Sequence, residues 1–389
     1  MTNGELLVVA GEASGDLHAA DVLLELRRRR PGMHAFGMGG RRLAEAGLER
    51  LFDASEISVM GIAEVLPRLP RIWRVFRALV RAAQKRRPAA ALLVDVPDFN
   101  LRLARRLKQL GIPVVCYVSP TVWAWRKGRV RDIARDVDRM LCILPFEEDF
   151  YRRHGVRAAY VGSPVAEQLP PPGEPERFRR ALGLDPWLPT VALLPGSRAS
   201  ELQRLLPPLA RTAALLARER PGLQFVVPLA PGVRRAEVER AFLRHHLHPL
   251  LVEGRTAEVA GASDVAVVAS GTATLETGLM LRPMVVVYRM SSLSWLIGRA
   301  LVRVPFVSLV NLLSGRRVVP ELLQSALRPE AIAVEVRQLW TPGAARDAQL
   351  QGLRELRERI GVSRTAARVA EEVLEVMGAR AKEAPRPGP

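Results

Sequence analysis

Short apolar runs alternate along this chain with longer segments whose apolar residues recur at helical spacing. The apolar runs fall at residues 6–10, 34–38, 90–94, 114–118, 140–144 and 160–161, and again at 191–194, 225–228, 250–252, 265–269 and 284–288. Runs without polar alternation are typical of strands buried on both faces of a parallel sheet. Their alternation with helical patterns predicts an α/β fold built from doubly wound parallel sheets.

A proline-rich segment, Gln-Leu-Pro-Pro-Pro-Gly-Glu-Pro at residues 168–175, separates the two series of strands. Such a stiff segment is a typical domain boundary. We predict two Rossmann-like domains, residues 1–167 and 176–350, that face each other across a cleft. A helix over 351–377, with Gly361 as a candidate interruption, is expected to pack back on the first domain, and residues 378–389 are expected to form a disordered tail.

Two strand ends in the second half carry the same pattern of small polar residues before a helix. Ser270, Gly271 and Thr272 follow the strand at 265–269, and Gly196, Ser197 and Arg198 follow the strand at 191–194. The first amides of a helix and its dipole favour an anion such as a diphosphate. Glu276, about one turn into the helix, could reach a neighbouring diol. The alternative is simple helix capping with a solvated Glu276, but the repetition of the pattern favours an anion site.

Two acids follow the strand at 90–94, where ligands of such sheets bind. Asp95 and Asp98 flank Pro97, and either carboxylate could act as a general base on a hydroxyl. Helix capping explains one aspartate but not both. Past the next strand, Trp123 and Trp125 precede a run of cationic residues, which suits sugar or acyl groups next to phosphate. A core tryptophan beside surface arginines is the alternative.

The segment at residues 59–80 combines apolar and basic residues. From Pro70 onward, Trp73 and Phe76 alternate with arginines at roughly helical spacing. This pattern suits a basic amphipathic helix that lies on a membrane or covers a lipid-binding cleft. A crossover helix with a solvated arginine face fits equally well. Residues 295–306 are a second segment of this kind.

The formal charge of +18 on 389 residues is carried almost entirely by arginine. It favours anionic partners, namely nucleic acid, an anionic membrane surface or phosphorylated small molecules. We expect no nucleic acid partner, because the sparse aromatic residues form no RNA-binding module. Cys116 and Cys142 are expected to be buried free thiols, and the histidines lack metal-ligand spacing. The absence of a signal peptide or of a long apolar run predicts a cytoplasmic protein that contacts a membrane peripherally.

Nine motifs, taken in order, resemble the lipid-A-disaccharide synthase family of GT-B glycosyltransferases. They occupy residues 11–16, 59–62, 97–100, 117–126, 144–147, 193–198, 269–276, 307–313 and 321–324. The resemblance implies transfer of 2,3-diacylglucosamine from its UDP form to 2,3-diacylglucosamine 1-phosphate, with UDP and a β-1,6-linked disaccharide as products. It implies no cofactor and no metal, and it places the reaction at the cytoplasmic face of the inner membrane. A homodimer is one option for an oligomeric state that the sequence leaves open.

The same resemblance distributes roles among the site residues. Asp98 is the expected base, with Asp95 as the alternative, and attack opposite UDP inverts the anomeric carbon. The diphosphate is expected at Gly196, Ser197, Arg198, Ser270, Gly271 and Thr272, and the ribose at Glu276. The cleft is expected to be lined by Glu12, Ser14, Gly15 and Asp16 from the first domain and by Asn311, Glu321 and Gln324 from the second.

One departure from the family pattern is Ser163, which stands where the family usually has histidine. A serine can donate one hydrogen bond but carries no positive charge. Two other functions compete with the resemblance. One is a different GT-B transferase or a UDP-sugar epimerase, since a UDP site does not specify the sugar. The other is a basic RNA-binding protein.

Overall fold

A computed structural model describes residues 4–57, 62–123, 128–291, 295, 305–361 and 364–383, with the backbone alone for 62–68 and 380–383. The chain divides into two units. The first contains Met1–Glu167 and Val362–Pro389, and the second contains Gln168–Gly361. Among the described residues, no helix is both long enough and apolar enough to cross a membrane.

The first unit contains a seven-stranded sheet in the order β3-β2-β1-β4-β5-β6-β7, with all neighbours parallel. Its strands are β1 Leu6–Ala10, β2 Ala35–Gly39, β3 Glu49–Asp53, β4 Ala90–Val94, β5 Val114–Tyr117, β6 Arg139–Cys142 and β7 Ala158–Tyr160. Its helices are α1 Ala13–Arg29, α2 Arg41–Glu45, α3 Ile62–Arg86, α4 Pro97–Gln109, α5 Arg129–Asp136, α6 Pro145–Arg153 and α7 Pro164–Gln168, whose last residue begins the second unit.

The second unit contains a six-stranded parallel sheet in the order β10-β9-β8-β11-β12-β13. Its strands are β8 Thr190–Leu194, β9 Gln224–Leu229, β10 Leu250–Glu253, β11 Val265–Ala269, β12 Met284–Tyr288 and β13 Glu321–Leu323. Its helices are α8 Pro175–Leu182, α9 Ala199–Glu219, α10 Arg235–Leu243, α11 Thr256–Ala262, α12 Thr272–Leu279, α13 Leu309–Ser314, α14 Pro329–Trp340 and α15 Ala344–Ile360.

Each sheet changes its direction of strand order once, between β1 and β4 in the first unit and between β8 and β11 in the second. Ligands of doubly wound sheets bind outside the carboxyl ends of the strands at such a switch point. The loops that leave these four strands contain the predicted acids and the predicted diphosphate site. The predicted α/β fold with two doubly wound sheets is therefore confirmed.

Apolar residues on both faces of each sheet form the cores of the two units. In the first sheet, Leu7 and Val9 face one cluster while Leu6 and Val8 face the other, all without solvent exposure. This explains why the apolar runs located these strands in the sequence. The edge strands β3 and β13 were not predicted. They contain charged, partly exposed residues, such as those of Glu-Arg-Leu-Phe-Asp in β3, so no apolar run marks them.

The helical segment expected over residues 351–377 forms two helices that belong to different units, with the break beginning at Gly361, the interruption that the sequence offered. The first is α15, which ends at Ile360 before Gly361 at φ +66°. The second, α16, spans Thr365–Glu383 and packs on the first sheet through Val369, Ala370, Val373 and Met377. The tail expected from residue 378 is therefore helical to Glu383, where alanine, arginine, lysine and glutamate favour a helix. Residues 384–389 lie outside the described part of the chain.

Candidate active site

A cavity of about 350 Å³ lies at the switch point of the second sheet. Strands β8 and β11 are paired neighbours, so the loops that follow them leave the sheet at the same edge. The cavity is lined by all seven residues predicted to bind the donor: Gly196, Ser197, Arg198, Ser270, Gly271, Thr272 and Glu276. Its lining also includes Glu201, Thr256 and Pro228, to which the sequence assigned no role.

The amino terminus of α12 is open toward this cavity. Gly271 is the N-cap at φ +153°, and an added Cβ would meet no described atom within 4 Å. No side chain of the described residues caps this end, so the first amides of the helix are available to an anion. The Ser270 hydroxyl instead donates to the Val307 carbonyl at 2.9 Å, and Thr272 is exposed.

The amino terminus of α9 differs from the expected anion site because an internal carboxylate already uses its amides. Oε2 of Glu201 accepts hydrogen bonds from the backbone N–H of Ser197 at 3.1 Å and of Arg198 at 3.2 Å. The sequence signal was present, since an acid three residues after an N-cap often bonds the N-cap amide. The sequence predicted a helix after Arg198 but assigned no role to Glu201, and α9 does begin at Ala199, with Pro207 and Pro208 inside it.

Glu276 lies in the second turn of α12, half-buried against the cavity. Burial raises the pKa of its carboxyl group above the ordinary value. The carboxyl group is thus placed to accept hydrogen bonds from a ligand, which would replace the water that burial removes.

The loop after β4 holds the two predicted acids in a turn of unusual backbone geometry. Asp95 and Val96 have φ of +56° and +42°, a region that β-branched residues rarely adopt. Asn100 stabilises this turn, because its Nδ2 donates to the carbonyls of Val94 at 3.1 Å and Asp95 at 2.7 Å. Burial raises the pKa of Asp95, whose carboxylate accepts from the Val96 amide at 2.9 Å. Strained backbone of this kind is concentrated at functional sites.

Asp98 lies in the first turn of α4, and its side chain is 65% exposed. It lines a cavity of about 620 Å³ whose other walls are mainly apolar and aromatic. The apolar walls are Leu69, Ile72, Trp73, Phe76 and Phe99, and the basic residues of the lining are Arg102, Arg105 and Arg106. The basic amphipathic segment predicted around Trp73 is α3, and it forms one wall of this cavity. Asp98 and Asp95 therefore have different surroundings although they are three residues apart.

A separate cavity of about 510 Å³ in the first unit contains Glu12 and Asp16. Asp16 is buried, and its carboxylate accepts from the amides of Gly40 at 2.6 Å and Arg42 at 2.9 Å, so it caps α2. Gly15 packs close to Asp95, with 3.5 Å between an added Cβ and the aspartate Cβ, whereas Ser14 is exposed.

Three residues expected to line the cleft from the second domain are hydrogen-bonded within their own unit. Asn311 is fully buried, and its Oδ1 accepts from the amides of Val318 at 2.7 Å and Val319 at 2.9 Å. Glu321 accepts from the Ser308 amide and hydroxyl at 2.9 and 2.8 Å. Gln324 bonds the Met290 amide at 2.8 Å. The structure thus places these residues where they shape the loops around β12 and β13.

The side chain of Trp123 is hydrogen-bonded to a buried acid, Glu147, which belongs to the motif at residues 144–147. The sequence assigned no role to this acid. Nε1 of Trp123 donates to Glu147 at 3.0 Å, and Glu147 is 1% exposed. Burial raises the pKa of Glu147 to about 7, although hydrogen bonds from Ser119, Trp123 and the Leu144 amide oppose that rise. Trp125 and the cationic residues Arg126 and Lys127 lie outside the described residues. Within the described part of the chain, no group of three or more His, Cys, Asp or Glu side chains could hold a metal ion.

A family model described as lipid-A-disaccharide synthetase matches residues 6–373. A protein of Myxococcus xanthus (strain DK1622) named lipid-A-disaccharide synthase is 61% identical over 97% of this chain and 99% of its own length. The chain belongs to the lipid-A-disaccharide synthase family. It is an enzyme, a glycosyltransferase that forms the lipid A disaccharide.

Two solved structures share the fold of this family member at low sequence identity. The UDP-GlcNAc 2-epimerase from Neisseria meningitidis, bound to UDP-GlcNAc, has a TM-score of 0.63 at 12% identity and covers 95% of this chain and 100% of its own. The glycotransferase of kitacinnamycin has a TM-score of 0.62 at 17% identity and covers 97% and 100%. The GT-B fold expected from the motifs is confirmed. Ser163, at the position of the usual family histidine, is 2% exposed.

Proposed function

We propose that the protein transfers 2,3-diacylglucosamine from UDP to the 6-hydroxyl of 2,3-diacylglucosamine 1-phosphate and inverts the anomeric carbon. The observation that carries this proposal is the cavity at the β8–β11 switch point, with its open helix terminus and the neighbouring Arg198. A UDP diphosphate matches these donors in charge and in hydrogen-bonding type. A structural neighbour, the epimerase from Neisseria meningitidis, binds a UDP-sugar with the same fold.

In the donor site, the first amides of α12 and the Arg198 guanidinium hold the diphosphate. Negative charge grows on UDP as the bond to the sugar breaks, and fixed positive groups stabilise that charge in the transition state. Glu276 accepts hydrogen bonds from the ribose hydroxyls, which is consistent with its half-buried position on the cavity wall. Gly271 lets the ligand approach the backbone, since an added Cβ there would meet no described atom within 4 Å.

In the acceptor site, the cavity of about 620 Å³ beside Asp98 takes the lipid. Its apolar wall of Trp73, Phe76 and Phe99 suits acyl chains, and the arginines of α4 suit the acceptor phosphate. Asp98 lines the same cavity and takes the proton from the attacking 6-hydroxyl. Asp95 is the alternative base.

We further propose that the enzyme works in the cytoplasm and contacts the inner membrane peripherally through α3. Trp73 is 52% exposed and Leu69 is 37% exposed on this helix. Arg77 lies over the Trp73 ring, so apolar and cationic groups occupy one surface. Flotation with vesicles containing anionic lipid tests this contact, and Trp73→Ser should reduce it. Equal flotation of both proteins would contradict the role of α3.

The reaction is tested by mass spectrometry of products after incubation with both acylated sugars, with and without a metal chelator. A disaccharide 1-phosphate and UDP are expected in equal amounts. A parallel incubation with UDP-N-acetylglucosamine alone tests the epimerase alternative. Formation of the 2-epimer of UDP-N-acetylglucosamine, with no disaccharide from the acylated sugars, would contradict the proposal and support the epimerase alternative.

A further inference from the structure

The carboxylate of Glu201 is built into the donor cavity. The residue is 8% exposed and lines the cavity wall. One of its oxygens accepts from the Ser197 and Arg198 amides, and the other accepts from Nη1 of Arg198 at 2.9 Å. A single side chain therefore contacts both the backbone and the guanidinium of the loop that follows β8.

Gly196 is fitted to this carboxylate. Its φ is +98°, and an added Cβ would lie 2.4 Å from Oε2 and 3.1 Å from Cβ of Glu201. Only glycine leaves room for the acid at that backbone position. The glycine and the acid therefore form one arrangement that fixes the course of residues 196–198.

The ion pair between Arg198 and Glu201 contributes little to folding stability, but it orients the Arg198 guanidinium. The Arg198 side chain is 75% exposed, and exposed ion pairs stabilise a protein by only about 0 to 1 kcal/mol. A free arginine side chain occupies many rotamers, and binding a ligand must restrict them. Glu201 engages one edge of the guanidinium, and the other N–H groups of Arg198 stay available for a second anion.

We propose that Glu201 is a positioning residue for the donor diphosphate. It fixes the Gly196–Arg198 turn and holds the Arg198 guanidinium toward the bound diphosphate. This inference rests on the donor site proposed above and changes it in one respect. The diphosphate is held by the Arg198 side chain and the α12 terminus, and the Ser197 and Arg198 amides remain bonded to Glu201.

The test compares Glu201→Gln with a matched control. Arg234 is the N-cap of α10 and pairs with Glu237 at 3.4 Å, with the same helix position and spacing as Arg198 and Glu201, but neither residue lines the cavity. UDP and uridine are each titrated into the full-length proteins and followed by ligand-observed NMR. Glu201→Gln should weaken UDP binding about tenfold, the size of one charge-assisted hydrogen bond, and leave uridine binding unchanged. Glu237→Gln should change neither.

A second variant makes the test independent of folding. In an Arg198→Met background, Glu201→Gln should cause no further loss of UDP affinity, because the guanidinium to be positioned is gone. Equal weakening of UDP and uridine, or an additional loss in the Arg198→Met background, would overturn the inference. Tighter UDP binding by Glu201→Gln would also overturn it, since the carboxylate would then compete with the diphosphate. Failure of the wild-type protein to bind UDP would refute the donor site itself, and this inference with it.

Discussion

Arg129 donates a hydrogen bond of 2.5 Å to the Asp98 carboxylate and so joins the start of α5 to the first turn of α4. The contact fixes one oxygen of Asp98 beside the cavity of about 620 Å³. A base that is held in place in this way needs no reorientation when the acceptor binds.

Asp98→Asn should lower the rate of disaccharide formation by about 10²- to 10⁴-fold, the usual contribution of a general base. UDP affinity should stay within about twofold, because the donor residues belong to the other sheet. Product formation and UDP titration measure the two effects. Asp95→Asn is the control, and a larger rate loss in that variant would transfer the role of base to Asp95.

Gly196→Ala should destabilise the protein and weaken UDP binding together. The new Cβ would meet the Glu201 carboxylate, and an alanine at φ +98° is itself strained, at a cost of about 1–3 kcal/mol. Gly232 is the control that separates backbone strain from the clash with Glu201. Its φ is +83°, but no described atom lies within 4 Å of an added Cβ. Gly232→Ala should therefore show backbone strain alone in urea denaturation and bind UDP normally. Equal UDP affinity in both variants would contradict the steric argument.

Glu147→Gln should change how stability depends on pH. Burial raises the pKa of this carboxyl from 4.5 to about 7, so the folded protein binds its proton more tightly than the unfolded chain does. Its contribution to stability is complete below about pH 4.5 and is lost as the pH rises through about 7. Relative to wild type, the variant should gain about 2 kcal/mol between pH 5 and pH 8 in urea denaturation.

The control for Glu147 is Asp149, which is exposed on the same helix. Asp149→Asn should keep the pH dependence of the wild type. A Glu147→Gln variant with that same dependence would show that the buried carboxyl does not titrate in this range.

Asn311→Ala should reduce stability by about 3 kcal/mol, since it leaves the buried amides and carbonyl around it without their partners. Nδ2 of Asn311 donates to the Val319 carbonyl and to Glu321, both at 2.9 Å. The KM values for both substrates should remain within about twofold of wild type in conditions where the variant is folded. A raised KM with unchanged stability would instead support direct contact with substrate, as the family pattern suggests.

The sequence predicted the strands and the loops at both switch points because their signals are local. The apolar run before Ser270 identifies β11, and parallel topology then brings its end beside that of β8. The hydrogen-bonding of Asn311 was not predictable, because its partners at Val318 and Val319 become neighbours only when the chain turns back. The same holds for the turn around Asp95, where left-handed geometry at Val96 follows from tertiary packing and is disfavoured locally.

Glu201 was missed for a different reason. Arg198 was interpreted as a ligand of the diphosphate at the start of a helix, and the acid three residues later was given no role. Once the helix is seen to begin at Ala199, the positions of Arg198 and Glu201 at its end follow from ordinary capping geometry. In this case the sequence contained the signal, because Arg198 and Glu201 have the spacing of an N-cap and its third helical residue.

The return of α16 to the first sheet affects the order in which the protein matures during synthesis. Val369 and Val373 complete the hydrophobic face that contains Leu6 and Val8. When residues 1–167 have been synthesised, the first unit therefore still lacks α16. Synthesis that stops before α16 would leave the face of β1 that contains Leu6 and Val8 without the contacts of Val369 and Val373.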